Sequence, residues 1–264
     1  MQFTDQIGTQ HTFENTPKRI ISLVPSQTEL LYDLGLEDAI VGITKFCVHP
    51  VHFKGIKTIV GGTKSVKIAK IKALHPEIII CNKEENTLEI VQELSQICPV
   101  WVTDIVSIDD NLQMIQDFGQ LFNKRTEAQK WIDKINFAHQ DFKQFIKDKP
   151  VKKAAYFIWA NPFMVAGNQT FINELLQLNH FENIYKNKEG RYPEIELKKI
   201  RLEGDPDYVF LSSEPFPFTD EHAFEIGRFT HHAKTVFVDG EMFSWYGSRL
   251  LKAFDYFKLL HSKI

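Results

Sequence analysis

The stretch RIISLVPSQTELLYDLG, residues 19–35, decides the fold. Its first six residues (19–24) form an apolar run that predicts a buried strand, and the pattern that follows predicts a helix ending at Gly35. Ser26 and Glu29 have the S-x-x-E spacing of a capping box, with leucines behind them as the buried stripe. A strand that passes directly into a helix opens a βα unit, so this stretch predicts an α/β fold.

The same alternation continues along the chain. Further strands are predicted at 39–43, 77–82, 99–103, 153–159, 207–211 and 234–239. Helices are predicted at 67–76, 87–97, 111–122, 170–178, 220–229 and 249–261. Strands that alternate with helices at this spacing indicate parallel sheets covered by helices.

One helix is predicted to be much longer than the others. Residues 124–149 contain neither Gly nor Pro, and apolar residues recur every three or four positions from Trp131 to Phe145. Such a helix would be on the order of 35 Å long, which suits a connector between two lobes. The predicted domains are an N-terminal α/β lobe at 1–122, a connecting helix at 123–149 and a C-terminal α/β lobe at 150–264.

Composition narrows the function classes. The 264 residues are 43% hydrophobic and 25% charged, the balance of a soluble globular protein, and the net charge of -3 does not suggest a nucleic-acid partner. The 3 cysteines have no C-x-x-C spacing, which argues against a disulfide framework and a structural zinc site. The N-terminus lacks the pattern of a secretory signal, so we expect a cytoplasmic protein if Met1 is the native start, or one whose signal was removed.

The chain shows no catalytic signature. It contains no G-x-S-x-G elbow, no H-E-x-x-H pair and no G-x-G-x-x-G after the first strand. These absences favour a binding protein over an enzyme, without an intrinsic cofactor. Two alternatives stay open: a cytoplasmic enzyme or ligand carrier with acid–base carboxylates, and a divalent-metal receptor built on His49, Glu84 and Glu241.

Candidate ligand-binding residues follow the predicted strands, because ligands of open α/β sheets sit beyond the carboxyl ends of the strands. The aromatic candidates are Phe46 and Tyr192, together with five rings expected to stack on the ligand: Trp159, Phe216, Phe218, Trp245 and Tyr246. Polar candidates are the cations Lys64, Arg191 and Arg249, the carboxylates Glu84, Glu85, Glu214 and Glu241, and Ser26 and His49. We expect them to line a cleft between the lobes, with MFSWYGSR (242–249) as one wall and His49 as the candidate for an axial metal ligand. His231 and His232 are expected in a surface turn.

Three stretches resemble a known family. They are PKRIISLVPSQTELLYDLGLEDAIVGIT (17–44), KIKALHPEIIICN (70–82) and NPFMVAGNQTFINELLQLNHFENIY (161–185). They are similar to the substrate-binding proteins of ABC importers that have a helical backbone, above all those that bind cobalamin, ferric siderophores or haem. The resemblance implies two Rossmann-like lobes joined by one long helix, a metal chelate held between them, a periplasmic location and an ABC permease as partner.

The sequence departs from this family at two places. Cobalamin binders of the family place a tryptophan against the corrin near Thr63 and Lys64, where this chain has a lysine. Relatives also carry an acidic residue on each lobe that pairs with arginines of the permease, and the matching positions here are Ala69 and Lys199. We therefore expect that this protein does not dock on a permease through the usual pairing of acidic residues with arginines. We also expect the protein to be a monomer.

Overall fold

The computed structural model describes all residues from Met1 to Ile264, and the chain divides into two units. The first unit comprises Met1–Ile105, Asp109–Phe137 and Tyr246–Leu251, and the second comprises Val106–Ile108, Ala138–Trp245 and Lys252–Ile264. The three-part division predicted from the sequence does not include this return of the C-terminal segment to the first unit.

Strands and helices alternate through the first part of the chain, as the sequence predicts. The strands are β1 (Gln2–Thr4), β2 (Gln10–Thr12), β3 (Ile20–Ser22), β4 (Ile40–Ile43), β5 (Thr58–Ile59), β6 (Ile78–Asn82) and β7 (Val100–Thr103). The helices are α1 (Pro25–Asp33), α2 (Phe53–Ile56), α3 (Ile68–Ala73), α4 (Leu88–Leu94), α5 (Ile108–Leu121) and α6 (Arg125–Ile146).

The first unit is built on a parallel sheet with the strand order β5-β4-β3-β6-β7. Every residue of β3 and β6 is buried, as expected for central strands that helices cover on both faces. Ile21, Ile79 and Val102 pack with apolar residues of α3 and α4 in one core. The order is that of a doubly wound, Rossmann-like sheet, which confirms the predicted fold class.

The second unit repeats this arrangement. Its strands are β8 (Lys152–Trp159), β9 (Met164–Val165), β10 (Phe181–Asn183), β11 (Tyr208–Ser212) and β12 (Lys234–Val238). Its helices are α7 (Phe171–Leu178), α8 (Ile200–Glu203), α9 (Asp220–Gly227), α10 (Gly240–Ser244) and α11 (Leu250–Lys263), the last of which begins in the first unit. The parallel order is β10-β8-β11-β12, and the short β9 pairs with β8 in the antiparallel direction.

The long helix is confirmed as α6, which has 22 residues. It starts in the first unit and continues in the second, with the division after Phe137. Its apolar stripe is buried at Ile135 and Phe142, and the Phe142 ring lies 5.9 Å from the rings of both Phe254 and Phe257 on α11. No helix of the chain combines the length and the apolar composition needed to cross a bilayer.

The predicted capping box at the start of α1 is wrong. The helix begins at Pro25 behind Val24, whose side chain makes no capping hydrogen bond, so Ser26 lies inside the first turn. Proline suits this position because the first helical N–H groups have no partner within the helix. Gly35 ends the helix with φ of +75°, as the sequence predicts.

Candidate functional site

Each sheet has one point where the strand order reverses, and its loops diverge there to leave a crevice at the carboxyl ends of the strands. In the first unit this point lies between β3 and β6, and in the second between β8 and β11. The residues that follow these four strands are therefore the first candidates for ligand contacts. We call the two surfaces the first face and the second face.

On the first face, two loops are tied together beyond β5 and β6. Lys64 donates from Nζ to the carbonyl of Glu84 at 2.6 Å, and Asn86 donates from Nδ2 to the carbonyl of Thr63 at 2.9 Å. The Oδ1 atom of Asn82 accepts from the backbone N–H groups of Glu84 at 2.9 Å and of Glu85 at 3.2 Å. The structure thus places Lys64, Glu84 and Glu85 on one framework.

An exposed ring lies beside this framework. Phe46, in the loop after β4, is 48% exposed, and the Nζ atom of Lys45 lies 4.9 Å from its ring centroid. A Cβ atom on Gly62 would lie 3.0 Å from Cε2 of Phe46, so the glycine lets the ring rest against the loop that follows β5. The first face thus presents one apolar ring and two cations, Lys45 and Lys64, to solvent.

Deeper in the first unit, the Tyr246 hydroxyl accepts a hydrogen bond from Nε2 of Gln27 at 3.0 Å, and Gln27 also donates to Oγ1 of Thr103 at 2.5 Å. The pKa of the Tyr246 hydroxyl is raised mainly by burial and, to a smaller extent, by the negative charge of Glu85. The tyrosine is therefore neutral, and only 5% of it is exposed. Ser26 is also buried close by, in the first turn of α1.

Arg249 was expected to hold an anionic group of a ligand, but its guanidinium has an internal partner. It donates from Nε to Oε2 of Glu29 at 2.7 Å and from the terminal amino group to Oε1 at 2.9 Å. Both side chains are buried, and the two-pronged geometry is that of a strong arginine–carboxylate pair. The structure therefore corrects the expected role of Arg249, because its charge is paired with that of Glu29 inside the first unit.

The second face carries a cluster of rings at the reversal point. Trp159, at the end of β8, is 40% exposed, and the Phe216 ring beyond β11 lies 5.3 Å from it in an edge-on arrangement. Phe218 lies 5.0 Å from Phe216 and 6.5 Å from the buried Phe157, which anchors the cluster in the core. The three predicted rings are thus brought together, with Trp159 the most accessible.

Beside this cluster, Glu214 follows β11, and its carboxylate accepts hydrogen bonds from side chains of the same unit. Its Oε1 accepts from Nε1 of Trp245 at 2.7 Å and from the hydroxyl of Ser244 at 3.0 Å. Burial, with smaller contributions from the charges of Glu241 and Asp239, raises the pKa of the Glu214 carboxyl. Trp245 is buried, so its ring is a wall of the core and not an open stacking surface.

Arg191 and Tyr192 lie next to the segment that follows β8. The carbonyl of Arg191 accepts from the backbone N–H of Gly167 at 2.8 Å, and a Cβ atom on Gly167 would lie 2.7 Å from the Gly190 carbonyl. This close approach needs glycine. Both side chains are half-buried on the second unit.

Sequence reasoning missed residues that shape the first face. Gln27 and Asn82 are buried and bind loop or side-chain groups, but amides inside a helix or at a strand end have no distinguishing sequence pattern.

His49 is half-buried in the first unit, whereas Glu241 belongs to the second. Burial raises the pKa of the thiols of Cys47 and Cys81, so neither is an activated nucleophile.

Comparison with known proteins agrees with the fold. Residues 20–230 match the model of the periplasmic binding protein family, and the chain belongs to this family of binding proteins. An uncharacterized ABC transporter substrate-binding lipoprotein, YvrC of Bacillus subtilis, is 24% identical over 258 residues, which cover 92% of this chain and 80% of that protein.

Two solved structures have the same fold. The periplasmic vitamin B12 binding protein of Vibrio cholerae superposes with a TM-score of 0.79 at 20% identity, covering 94% of this chain and 99% of the other. A periplasmic heme binding protein from Pseudomonas aeruginosa superposes with a TM-score of 0.80 at 17% identity, covering 92% of each chain.

Proposed function

We propose that this protein is the substrate-binding component of an ABC importer and that it binds a metal chelate: a corrinoid, haem or a ferric siderophore. Its place of action would be outside the cytoplasmic membrane, as it is for the periplasmic vitamin B12 binding protein of Vibrio cholerae. The protein would act by binding and release, without an intrinsic cofactor and without chemical turnover.

The observation that carries this proposal is the exposed Trp159 with Phe216 at the reversal point of the second sheet. Edge-on pairs hold both rings in fixed orientations, so Trp159 presents a preorganised apolar surface. Flat macrocycles and aryl chelators are ligands whose faces match such a surface. Phe218 supports Phe216 from behind, because it reaches the buried core.

The first face, taken by itself, carries charged groups of the kind that bind the polar edges of such ligands. Lys45 is an exposed cation beside Phe46, and Lys64 is exposed in the loop after β5. Cobalamin, haem and many siderophores carry carboxylate, phosphate or phenolate groups that such cations bind. The carboxylates of Glu84 and Glu85 are half-buried there and would accept hydrogen bonds from amides or hydroxyls of the ligand. Tyr246 and Arg249 are not among the proposed contacts, because their polar atoms are held by Gln27 and Glu29.

The importer itself would contact two basic surfaces. Ala69 lies exposed on α3 between Lys67 and Lys70, and Lys199 is exposed and paired with Glu196 at 2.6 Å. A permease that uses arginines to grip acidic residues would be repelled at these places. We propose that the partner permease offers acidic or neutral groups there.

The test is equilibrium dialysis of the purified protein against cobalamin, cobinamide, haemin and ferric siderophores, with the bound ligand measured by its own absorbance. One of these chelates should bind saturably. Trp159→Ala should then raise the Kd roughly fivefold, since a ring contact contributes about 1 kcal/mol.

Phe224→Ala is the matched control, because Phe224 is 72% exposed on α9 of the same unit and lies outside the ring cluster. The control should bind like the unaltered protein. Failure of every chelate to bind would refute the proposed function, and equal binding by both variants would refute the second face as the ligand surface.

A further inference from the structure

Two loops at the opposite edge of the second sheet bring together two histidines and two carboxylates. Asp205 and Asp207 precede β11, and His231 and His232 precede β12. Because β11 and β12 are parallel neighbours, both loops lie at the amino edge of the sheet, away from the ring cluster at its carboxyl edge. Neither pair has a part in the proposed function.

The side chains are spaced as ligands of one ion. One ligand atom each of Asp205, His231 and His232 lies within 4.8 Å of the others. Nδ1 of His232 lies 3.6 Å from Oδ2 of Asp205, and two ligands of a tetrahedral zinc ion are about 3.3 Å apart. A shift of a few tenths of an ångström would therefore bring this pair to coordination distance.

The fourth side chain is placed to orient the histidine. Nε2 of His232 lies 3.2 Å from Oδ1 of Asp207. A proton on Nε2 leaves Nδ1 free to bind a metal ion, and a carboxylate that accepts from the remote ring nitrogen is the usual outer partner of a metal-bound histidine.

The loops that carry these residues are fixed by backbone hydrogen bonds. Asp207 accepts from the N–H of Lys153 through Oδ2 at 2.8 Å and from the N–H of Lys234 through its carbonyl at 2.9 Å. Arg201 donates to the carbonyls of Phe229 at 3.1 Å and Thr230 at 2.8 Å. Ligands set on anchored loops lose little freedom when they bind an ion.

We propose that Asp205, His231 and His232 bind one divalent cation of the zinc class, and that Asp207 positions His232. Two imidazoles and one carboxylate suit zinc and its neighbours, whereas magnesium and calcium prefer oxygen ligands alone. The His232 side chain is 50% exposed, so water completes the coordination and the ion exchanges readily. A bound ion would link the two loops that lead into β11 and β12.

The experiment is calorimetric titration of the untagged full chain with Zn²⁺, repeated with Co²⁺ to record its visible absorption. One saturable site is expected. His232→Ala should weaken binding at least tenfold and abolish the Co²⁺ band, and His231→Gln should do the same if the first variant fails to fold. Asp207→Asn should weaken binding about tenfold while the Co²⁺ band keeps its shape, as a positioning residue requires.

His52→Ala is the matched control, because His52 forms an exposed pair with Glu37 at 3.0 Å, without a third ligand, in the other unit. Its affinity for Zn²⁺ should equal that of the unaltered protein. The proposal is overturned if the unaltered protein shows no saturable site, or if His232→Ala and His52→Ala bind Zn²⁺ equally.

Discussion

The pair of Glu29 and Arg249 shows how two residues separated by most of the chain share one role. Both are buried and joined by two short hydrogen bonds. Removal of either partner alone leaves the other as an uncompensated charge away from water, which costs far more than the pair contributes as a whole. Breaking the pair should therefore lower the free energy of unfolding and should not remove a contact with the ligand.

Arg249→Met should lower the free energy of unfolding by about 3–5 kcal/mol in urea titrations. The double variant Glu29→Met with Arg249→Met should recover much of the loss, since no charge is then left unpaired. Lys186→Met, which breaks the exposed pair with Glu182, is the control and should cost at most about 0.5 kcal/mol. Equal losses for Arg249→Met and Lys186→Met would contradict this assignment.

Glu214 gives stability a pH dependence of known sign. Its pKa is raised in the folded protein, so the folded state holds this proton more tightly than the unfolded state does. The contribution is fully present below the usual pKa of glutamate and is lost as the pH rises through the raised pKa. In Glu214→Gln this part of the dependence should vanish, because the amide oxygen still accepts from Trp245 but does not titrate.

The measurement for Glu214 is the free energy of unfolding at about pH 4 and pH 7. Between these values, the unaltered protein should lose more stability, or gain less, than Glu214→Gln does. Glu189→Gln, an exposed change in the same unit, should follow the unaltered protein. A pH profile of Glu214→Gln that is identical to that of the unaltered protein would rule out the proposed titration.

At the scale of elements, the buried apolar stripe of α6 contributes to the stability of the protein. Phe142→Ala should destabilise the protein by about 3–5 kcal/mol, because the Phe142 ring is fully buried against Phe254 and Phe257. Phe137→Ala, on the same helix but 80% exposed, should change the stability by less than about 0.5 kcal/mol. Thermal or urea unfolding monitors both, and similar effects would show that the buried stripe is misplaced.

Local patterns predicted most of these elements. Apolar runs such as 77–82 and 99–103 became the buried strands β6 and β7, since a strand buried on both faces needs little more than a short β-branched run. The two-residue β5 and the polar β10 were missed, because pairing with a neighbouring strand defines them and no pattern of their own does. The capping box failed where Pro25 moved the start of α1 ahead of Ser26.

At the scale of the whole molecule, sequence indicates which loops carry the candidate site but not which internal partner each side chain has. Trp159, Phe216 and Phe218 meet because parallel strands bring their carboxyl ends to one edge, a rule that sequence can supply. Tyr246 and Arg249 were assigned to the ligand, yet their partners Gln27 and Glu29 lie about 220 positions earlier. Pairings at such separation leave no local signal.

The return of Tyr246–Leu251 to the first unit also bears on how the chain is made. Residues 1–137 emerge from the ribosome long before this segment is synthesised. Until then, Glu29 lacks its partner Arg249 and Asn111 lacks its partner Gly247. The second unit is nearly complete by then. The first unit can therefore be completed only after residues 246–251 have been synthesised.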